Sequence, residues 1–593
     1  MVEKEHFKQF TATHKTILSV LVVVIGLCLS VTIYVHFRWK SVISSEIKAA
    51  VKESGKGLYD LSFDDISVNL LTGDIGFENL YLRPDTALFR RLMQKNLAPQ
   101  YLLTIKMDAL LLRDVGFWEI YFHKKIDWSS VVIYKPDIIV SHNRSHTRKD
   151  KSRSKNVYEL LSGLLKTVLI KSIVIKDADV SYRNAGTSKD VLKFKGLSLR
   201  ISDLKIDSAS HFDRSRFYYA KDISLNLSKQ KFVTKNRLYT ISFGGAEASS
   251  SGRFLKLVQL KVKPNYPEMA FSRKFKQQHD RYDISVREVL CRELIFNTLL
   301  TDDRLTAHAV LIDKADIDIF MNRELPPVSF DKGRNYPHVV LRRLKLNTLV
   351  DSVIIRNSTI RYSEYNPKSK RKGTVSFNRF NGSILNVTND SSQLSKNNWA
   401  RATISTWLMN KGKMDVTLNF DLTAKNADFN FKGSLGPMNM PELNAVSKGL
   451  SLVQIESGKI KKVTFNVKAD WRRSSGWLKL YYNDLKVNIL KEEDKTLEKR
   501  GLISSLANTL VIKSSNPDDD GELRVGKTVS ERKDSGSFFN LMWTSVFAGM
   551  KEIMLATAGD VEKRQVQPTK KELRKMKREK RKAERSLKLK DQS

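Results

Sequence analysis

One short pattern recurs six times along this chain and commits most of it to extended structure. Two apolar residues in alternation meet a short connection centred on one polar residue and its neighbour, and two more apolar residues in alternation follow. The clearest copies are SIVIKDADVSY, Ser172 to Tyr182, and SVIIRNSTIRY, Ser352 to Tyr362. Period-two alternation places such side chains on one face of a strand. With Asp177-Ala178 as a two-residue connection, Ile175 opposes Val180 and Ile173 opposes Tyr182 across an antiparallel hairpin. The same arithmetic sets Val353, Ile355, Ile360 and Tyr362 about Asn357-Ser358, and Val310, Ile312, Ile317 and Ile319 about Lys314-Ala315. It sets Val131, Ile133, Ile138 and Val140 about Lys135-Pro136, and Val68, Leu70, Ile75 and Phe77 about Thr72-Gly73. Val453, Ile455 and Ile460 flank Ser457-Gly458, with Lys462 in the fourth slot. Pro136 cannot take the positive φ of a type I′ turn, so that loop needs a wider register. Irregular spacing between the copies excludes a strict solenoid repeat. The expectation is a mainly β fold: a long antiparallel meander with one continuous apolar face.

Helical patterns are few and short: Val42 to Val51, Ala87 to Leu97, Val157 to Leu169 and Pro441 to Leu450. They cannot cover a sheet of that extent. Either the sheet folds onto itself as a sandwich or barrel, or it curls into an elongated hydrophobic trough whose lining stays available; the trough is the expectation, with an acyl chain as the natural occupant near a bilayer.

Near the N-terminus, Thr16 to Val35 (TILSVLVVVIGLCLSVTIYV) carries no formal charge. About 20 residues at 1.5 Å each cross a hydrocarbon core of roughly 30 Å. Its length, and the lack of a small-residue cleavage site, point to a retained anchor. The long body is expected outside and the N-terminus inside, although Lys and Arg flank the span on both sides.

The net charge of +39 implies an anionic partner. For a tethered chain the first anionic surface is phospholipid. Cysteines number two, Cys28 and Cys291, which excludes a disulfide framework and cysteine-rich metal sites. GELRVGKT, Gly521 to Thr528, satisfies the phosphate-loop expression, but an acidic, proline-containing loop precedes it and no helical periodicity follows; ELRVGKTVSER reads as a strand. His142 and His146 have ligand spacing but sit in a basic run without a carboxylate neighbour. No catalytic constellation, metal site or cofactor site emerges, and the chain does not read as an enzyme.

The layout divides into an N-terminus (1–15), an anchor (16–36), a β region (37–142), a basic linker (143–156), a central β region (157–330), a further β region (331–513) and a polar loop or strand (514–536). An amphipathic or interfacial helix (537–559) and a basic tail (560–593) complete it. Membrane-surface contacts are expected from Phe538, Phe539, Trp543 and Phe547 of that helix. Others are expected from Lys570, Lys571, Arg574, Lys577, Arg578, Lys580 and Arg581 of the tail.

The segment SFDDISVNLLTGDIGFENLYLRPD, Ser62 to Asp85, resembles the opening of the AsmA-like bacterial envelope proteins. Gly433 to Asp470 and Gly476 to Leu490 are similar to their C-terminal half. The resemblance implies an inner-membrane anchor with the body in the periplasm. It also implies a hydrophobic β-groove that moves phospholipids and supports outer-membrane assembly. The family brings no catalytic residues. The expected partners are therefore phospholipids or other acyl lipids, the membrane and other envelope proteins, not nucleic acid. The rival readings are a structural scaffold that carries no ligand and a tethered nucleic-acid binder working through the tail.

Overall fold

In a computed structural model of the chain, the described residues are 44–45, 48–49, 51–53, 55–69, 72–95, 97–99, 101–142, 158, 165–184, 190–210, 212–213, 215–493, 496–499 and 512–555. The expected anchor, the basic linker, Leu70, His146 and the basic tail lie outside them. No described helix is long and apolar enough to cross a membrane.

Strands account for 57% of the structure and helices for 16%, so the fold is mainly β. Among the described residues all 26 strands belong to one sheet, and their hydrogen-bonded order follows the chain with few exceptions. The ladder also continues across residue 331, where Arg304–Asn322 pairs with Asn347–Asn366. That pairing is parallel, as are those of Lys125–Tyr134 and Asp137–His142 with Thr167–Asn184. The sheet is therefore mixed and not antiparallel throughout. Parallel neighbours need a crossover connection, and the segment holding the helix Pro337–Arg343 supplies one of them.

Five of the six expected hairpins are not hairpins. Asp177-Ala178 lies inside the single strand Thr167–Asn184, Lys314-Ala315 inside Arg304–Asn322 and Asn357-Ser358 inside Asn347–Asn366. Ser457-Gly458 lies inside Val453–Ala469. Lys135-Pro136 interrupts Lys125–Tyr134 and Asp137–His142, which lie end to end against Tyr101–Arg113. At each place the chain kinks through one left-handed residue: Lys135 (φ 42°), Asp177 (57°), Lys314 (50°), Asn357 (50°) and Gly458 (137°). One extra residue of this kind shifts the alternation by one, so apolar residues five apart return to the same face. A two-residue turn gives the same parity. The expected shared face is therefore compatible with a kinked single strand as much as with a hairpin.

The sixth copy is a true hairpin with a different register. Val68 pairs with Ile75 and Asn69 with Asp74, which makes the loop longer than Thr72-Gly73. At the fourth slot of the last copy, a register shift after Ile460 pairs Lys462 with Tyr481 and gives the apolar position to Val463.

The expected helix from Ala87 forms as Thr86–Gln94, capped by Asp85, whose carboxylate accepts from the Ala87 and Leu88 amides at 2.8 Å. Pro441 to Leu450 forms as a 3-10 turn, Met440–Leu443, running into Asn444–Leu450. The expected helix to Leu169 is cut short, because the strand starts at Thr167.

Candidate functional site

The apolar positions of successive strands meet in register. Ile75 pairs with Leu112, Leu112 with Val131, Val131 with Ile173 and Ile173 with Ile201. Farther along, Leu257 pairs with Val289, Val289 with Ile312 and Ile312 with Ile355. Val353 continues to Ile384, Ile384 to Ala402, Ala402 to Leu418, Leu418 to Phe431 and Phe431 to Val467. A single apolar face thus runs from Asp74–Pro84 to Arg473–Glu493. Apolar residues outside the six copies belong to it on the same terms, notably Leu255, Leu257, Leu260 and Val262, with Gln259 (φ 54°) between the pairs. Their inner spacing is three residues where the six copies have five, which gives the same parity across one kink but not the same pattern in the sequence.

The opposite face holds some apolar pairs, such as Val132 with Val174 and Leu311 with Ile354, but is crossed by ion pairs. Arg361 reaches Asp316 and Asp318 on the neighbouring strand, Lys263 reaches Asp283, and Arg287 reaches Asp313. Most are partly solvated, so each contributes little stability, but together they keep that face wet.

Burial along the apolar face is uneven. Toward the N-terminal end Ile75, Phe77, Val131, Ile133, Val140, Ile173 and Tyr182 are buried, with Val68, Ile138, Ile175 and Val180 half-buried. Trp128 and Phe77 are fully enclosed, and Val51, Ile120 and Leu165 from outside the strands join this core. Near the C-terminal end Ile460 is fully buried, while Val453 and Ile455 are half-buried. Tyr336, Val339, Met440, Phe538, Leu541 and Ile553 cover the strands there. Between these ends Val310, Ile312, Ile317, Ile319, Val353, Ile355, Ile360 and Tyr362 are all only half-buried. The core cluster in this stretch is small: Cys291, Leu294, Ala307 and Val350.

The kinks align from strand to strand. Asn79, Lys135, Asp177, Gly196, Gln259, Lys314, Asn357 and Arg379 all have positive φ and mark one seam across the sheet. Left-handed backbone breaks the regular ladder, and freed amides need partners. Polar side chains supply them: the Ala315 amide donates to Ser358 Oγ (3.0 Å) and the Asn357 amide to Asn381 Oδ1 (3.0 Å). The Lys195 amide donates to Gln230 Oε1 (3.2 Å). Ser358 and Gln230 are buried for this reason.

At one rim the apolar face turns polar. Tyr282 and Tyr362 flank Ile319 on adjacent strands, and the Tyr362 hydroxyl donates to Glu364 Oε1 at 2.8 Å. Burial, then the neighbouring carboxylates, push the Tyr362 phenol well up and that of Tyr282 to about 12. Burial also raises the Asp280 carboxyl, against the pull of Lys332 and His279. The helix Glu268–Ser272 reaches over this rim. Its Phe271 packs edge-on against Tyr239 at 5.4 Å, and Glu268 pairs with Lys372 at 2.9 Å.

The helix Phe538–Met554, capped by the Ser537 hydroxyl, closes the last strands. Phe538 is not at the surface as expected: it is buried among Tyr336, Phe420 and Phe429, at ring distances of 5.2, 5.8 and 5.0 Å. Phe539, Trp543 and Phe547 are exposed. GELRVGKT contributes the short strand Val525–Lys527, which pairs with Arg473–Glu493. Among the described residues no group of three or more His, Cys, Asp or Glu is placed to hold a metal ion. His142 ends a strand, its ring 5.2 Å from that of Tyr101. No protein-family model and no curated protein matches the sequence.

Proposed function

We propose that the apolar face is the lining of an elongated trough that holds acyl chains, and that the chain is a membrane-anchored lipid-binding or lipid-transfer protein. The observation that carries this reading is the unbroken register of apolar side chains whose middle stretch is half-buried and lacks a large core of its own. Such a surface calls for an apolar occupant. Each methylene moved from water onto it contributes about 0.8 kcal/mol. A groove of uniform lining keeps that contribution nearly constant as a chain slides, so movement needs no chemistry. With strands about 4.8 Å apart, the sheet extends on the order of 90 Å. The seam of kinks bends the strands that carry Asn79, Asp177, Gly196, Gln259, Lys314, Asn357 and Arg379 at the same height, which favours a curled cross-section. The polar rim at Tyr282, Tyr362 and Glu364 offers hydrogen-bonding groups to a lipid headgroup. The resemblance to AsmA-like proteins supports a periplasmic setting, phospholipid as cargo and a role in outer-membrane lipid homeostasis.

The closed cores at both ends favour a second reading, a tethered scaffold of the envelope without cargo. One experiment separates the two: purify the full chain in mild detergent and quantify co-purifying lipid by mass spectrometry. The trough reading expects stoichiometric phospholipid, reduced about tenfold in Ile312→Asp/Ile355→Asp, a pair in direct register, for a loss on the order of 1.4 kcal/mol. Lipid-free wild type, or a variant that retains full lipid, would leave the scaffold reading standing.

A further inference from the structure

The helix Phe538–Met554 is apolar nearly all round, yet one stripe along it is left outside the fold. Phe538, Leu541, Ser545, Gly549 and Ile553 face the sheet and are buried. That contact is close. The Ser545 hydroxyl donates to Ser474 Oγ at 2.6 Å, and a Cβ on Gly549 would stand 2.9 Å from that of Leu478. On the other side Phe539, Trp543, Phe547 and Lys551 follow one another at four-residue intervals, which places them in one line along the helix. The three rings are 71%, 53% and 45% exposed, and Trp543 stacks on Phe547 at 6.0 Å.

We infer that this stripe docks the C-terminal end of the sheet onto the surface of an anionic phospholipid bilayer. Two observations fix the occupant. Trp and Phe rings beside a lysine match the headgroup zone, where an apolar body and a positive end are both satisfied. Lys551 lies at the C-terminal end of the stripe, and the chain that leaves the helix after Leu555 carries a run rich in lysine and arginine from Lys563 to Lys590. Positive charge beside an exposed apolar stripe complements anionic headgroups, and the two attractions add. A protein partner of the same stripe would make no use of the tail. Docking does not require the trough to be loaded, so the inference stands apart from the lipid-carrying reading.

The test uses the full chain held by its N-terminal segment in nanodiscs of neutral phosphatidylcholine. Fluorescent vesicles containing roughly 30% phosphatidylglycerol are then offered, and their capture is measured against purely phosphatidylcholine vesicles. The wild type is expected to capture the anionic vesicles. Phe539→Ser/Trp543→Ser/Phe547→Ser should lower capture at least about tenfold with the thermal transition little changed, because these rings are largely exposed in the fold. Lys551→Glu should lower capture several-fold, and added salt should do the same. A second readout does not depend on the fold of the triple variant: brominated lipid should quench the wild type more than Trp543→Phe. Equal capture by the triple variant, equal capture of neutral vesicles, or equal quenching of Trp543→Phe would overturn the inference. So would salt-sensitive binding of duplex DNA in place of vesicles.

Discussion

The ends of the sheet and its middle are built from the same residues in the same register, yet their interiors differ. Phe77 and Trp128 near one end, and Leu478 and Leu480 near the other, are completely enclosed. Ile312 and Ile355, at equivalent positions in the middle, stay half-buried. What changes is the cover. Val51, Ile120 and Leu165 close the first region, and Tyr336, Met440 and the helix Phe538–Met554 close the second. Over the middle, the helix Phe296–Thr301 brings Phe296 and Leu299 to the small cluster with Val310 and Val353, and the rim helix Glu268–Ser272 brings Phe271 against Tyr239. An apolar strand pattern therefore sets which face is greasy, while burial is decided by segments far away in the chain.

That contrast can be broken most forcefully by truncation. Phe77→Ala, inside a closed end, should cost about 3–5 kcal/mol through the cavity it leaves. Ile355→Ala, only partly buried in the middle, should cost about 1 kcal/mol. Thermal unfolding of the two variants beside the wild type measures the difference, and equal shifts would erase the distinction between the regions.

A pH titration sharpens the same contrast. His338, buried in the C-terminal core against Phe420 at 5.1 Å, is held down to about 4 by burial, below its usual value near 6.5. Because the folded state resists protonation, the unfolded state gains protons first as pH falls through 6.5. Stability of this end should therefore decline between pH 6.5 and about 4, by about 1.4 kcal/mol per unit. It should be flat above that window. His338→Gln should remove the slope. Fluorescence of a probe placed near Tyr336, followed in denaturant at several pH values, reports it.

The smallest expected effect lies on the outer face. Arg361→Ala breaks pairs with Asp316 and Asp318 that water already screens, and should shift stability by less than about 1 kcal/mol. A melting temperature within a few degrees of wild type is the expected reading.

Much of this was legible in the residues, in a specific sense. Alternation identified Ile173, Ile175, Val180 and Tyr182 as sharing a face, and they do. Their connection could not be read, because one left-handed residue at Asp177 and a two-residue turn impose the same parity. Asp and Asn favour both conformations. Lys135 and Lys314, which visit the left-handed region reluctantly, gave no signal at all. The parallel pairing of Arg304–Asn322 with Asn347–Asn366 was hidden because it depends on where the intervening helix returns the chain. The terminal helix shows the opposite case. Its composition announced an apolar segment, but uniform greasiness could not say that Phe538 turns inward while Phe539 faces water.

The aligned kinks carry a consequence for growth. Since the kinked strands bend at the same height, a new pair of strands inserted among them with the same kink would add one repeat of thickness and leave the profile of the apolar face as it was. Reach and gauge are thus independent variables in this architecture. A lineage needing to span a wider gap would lengthen the row without redesigning its profile.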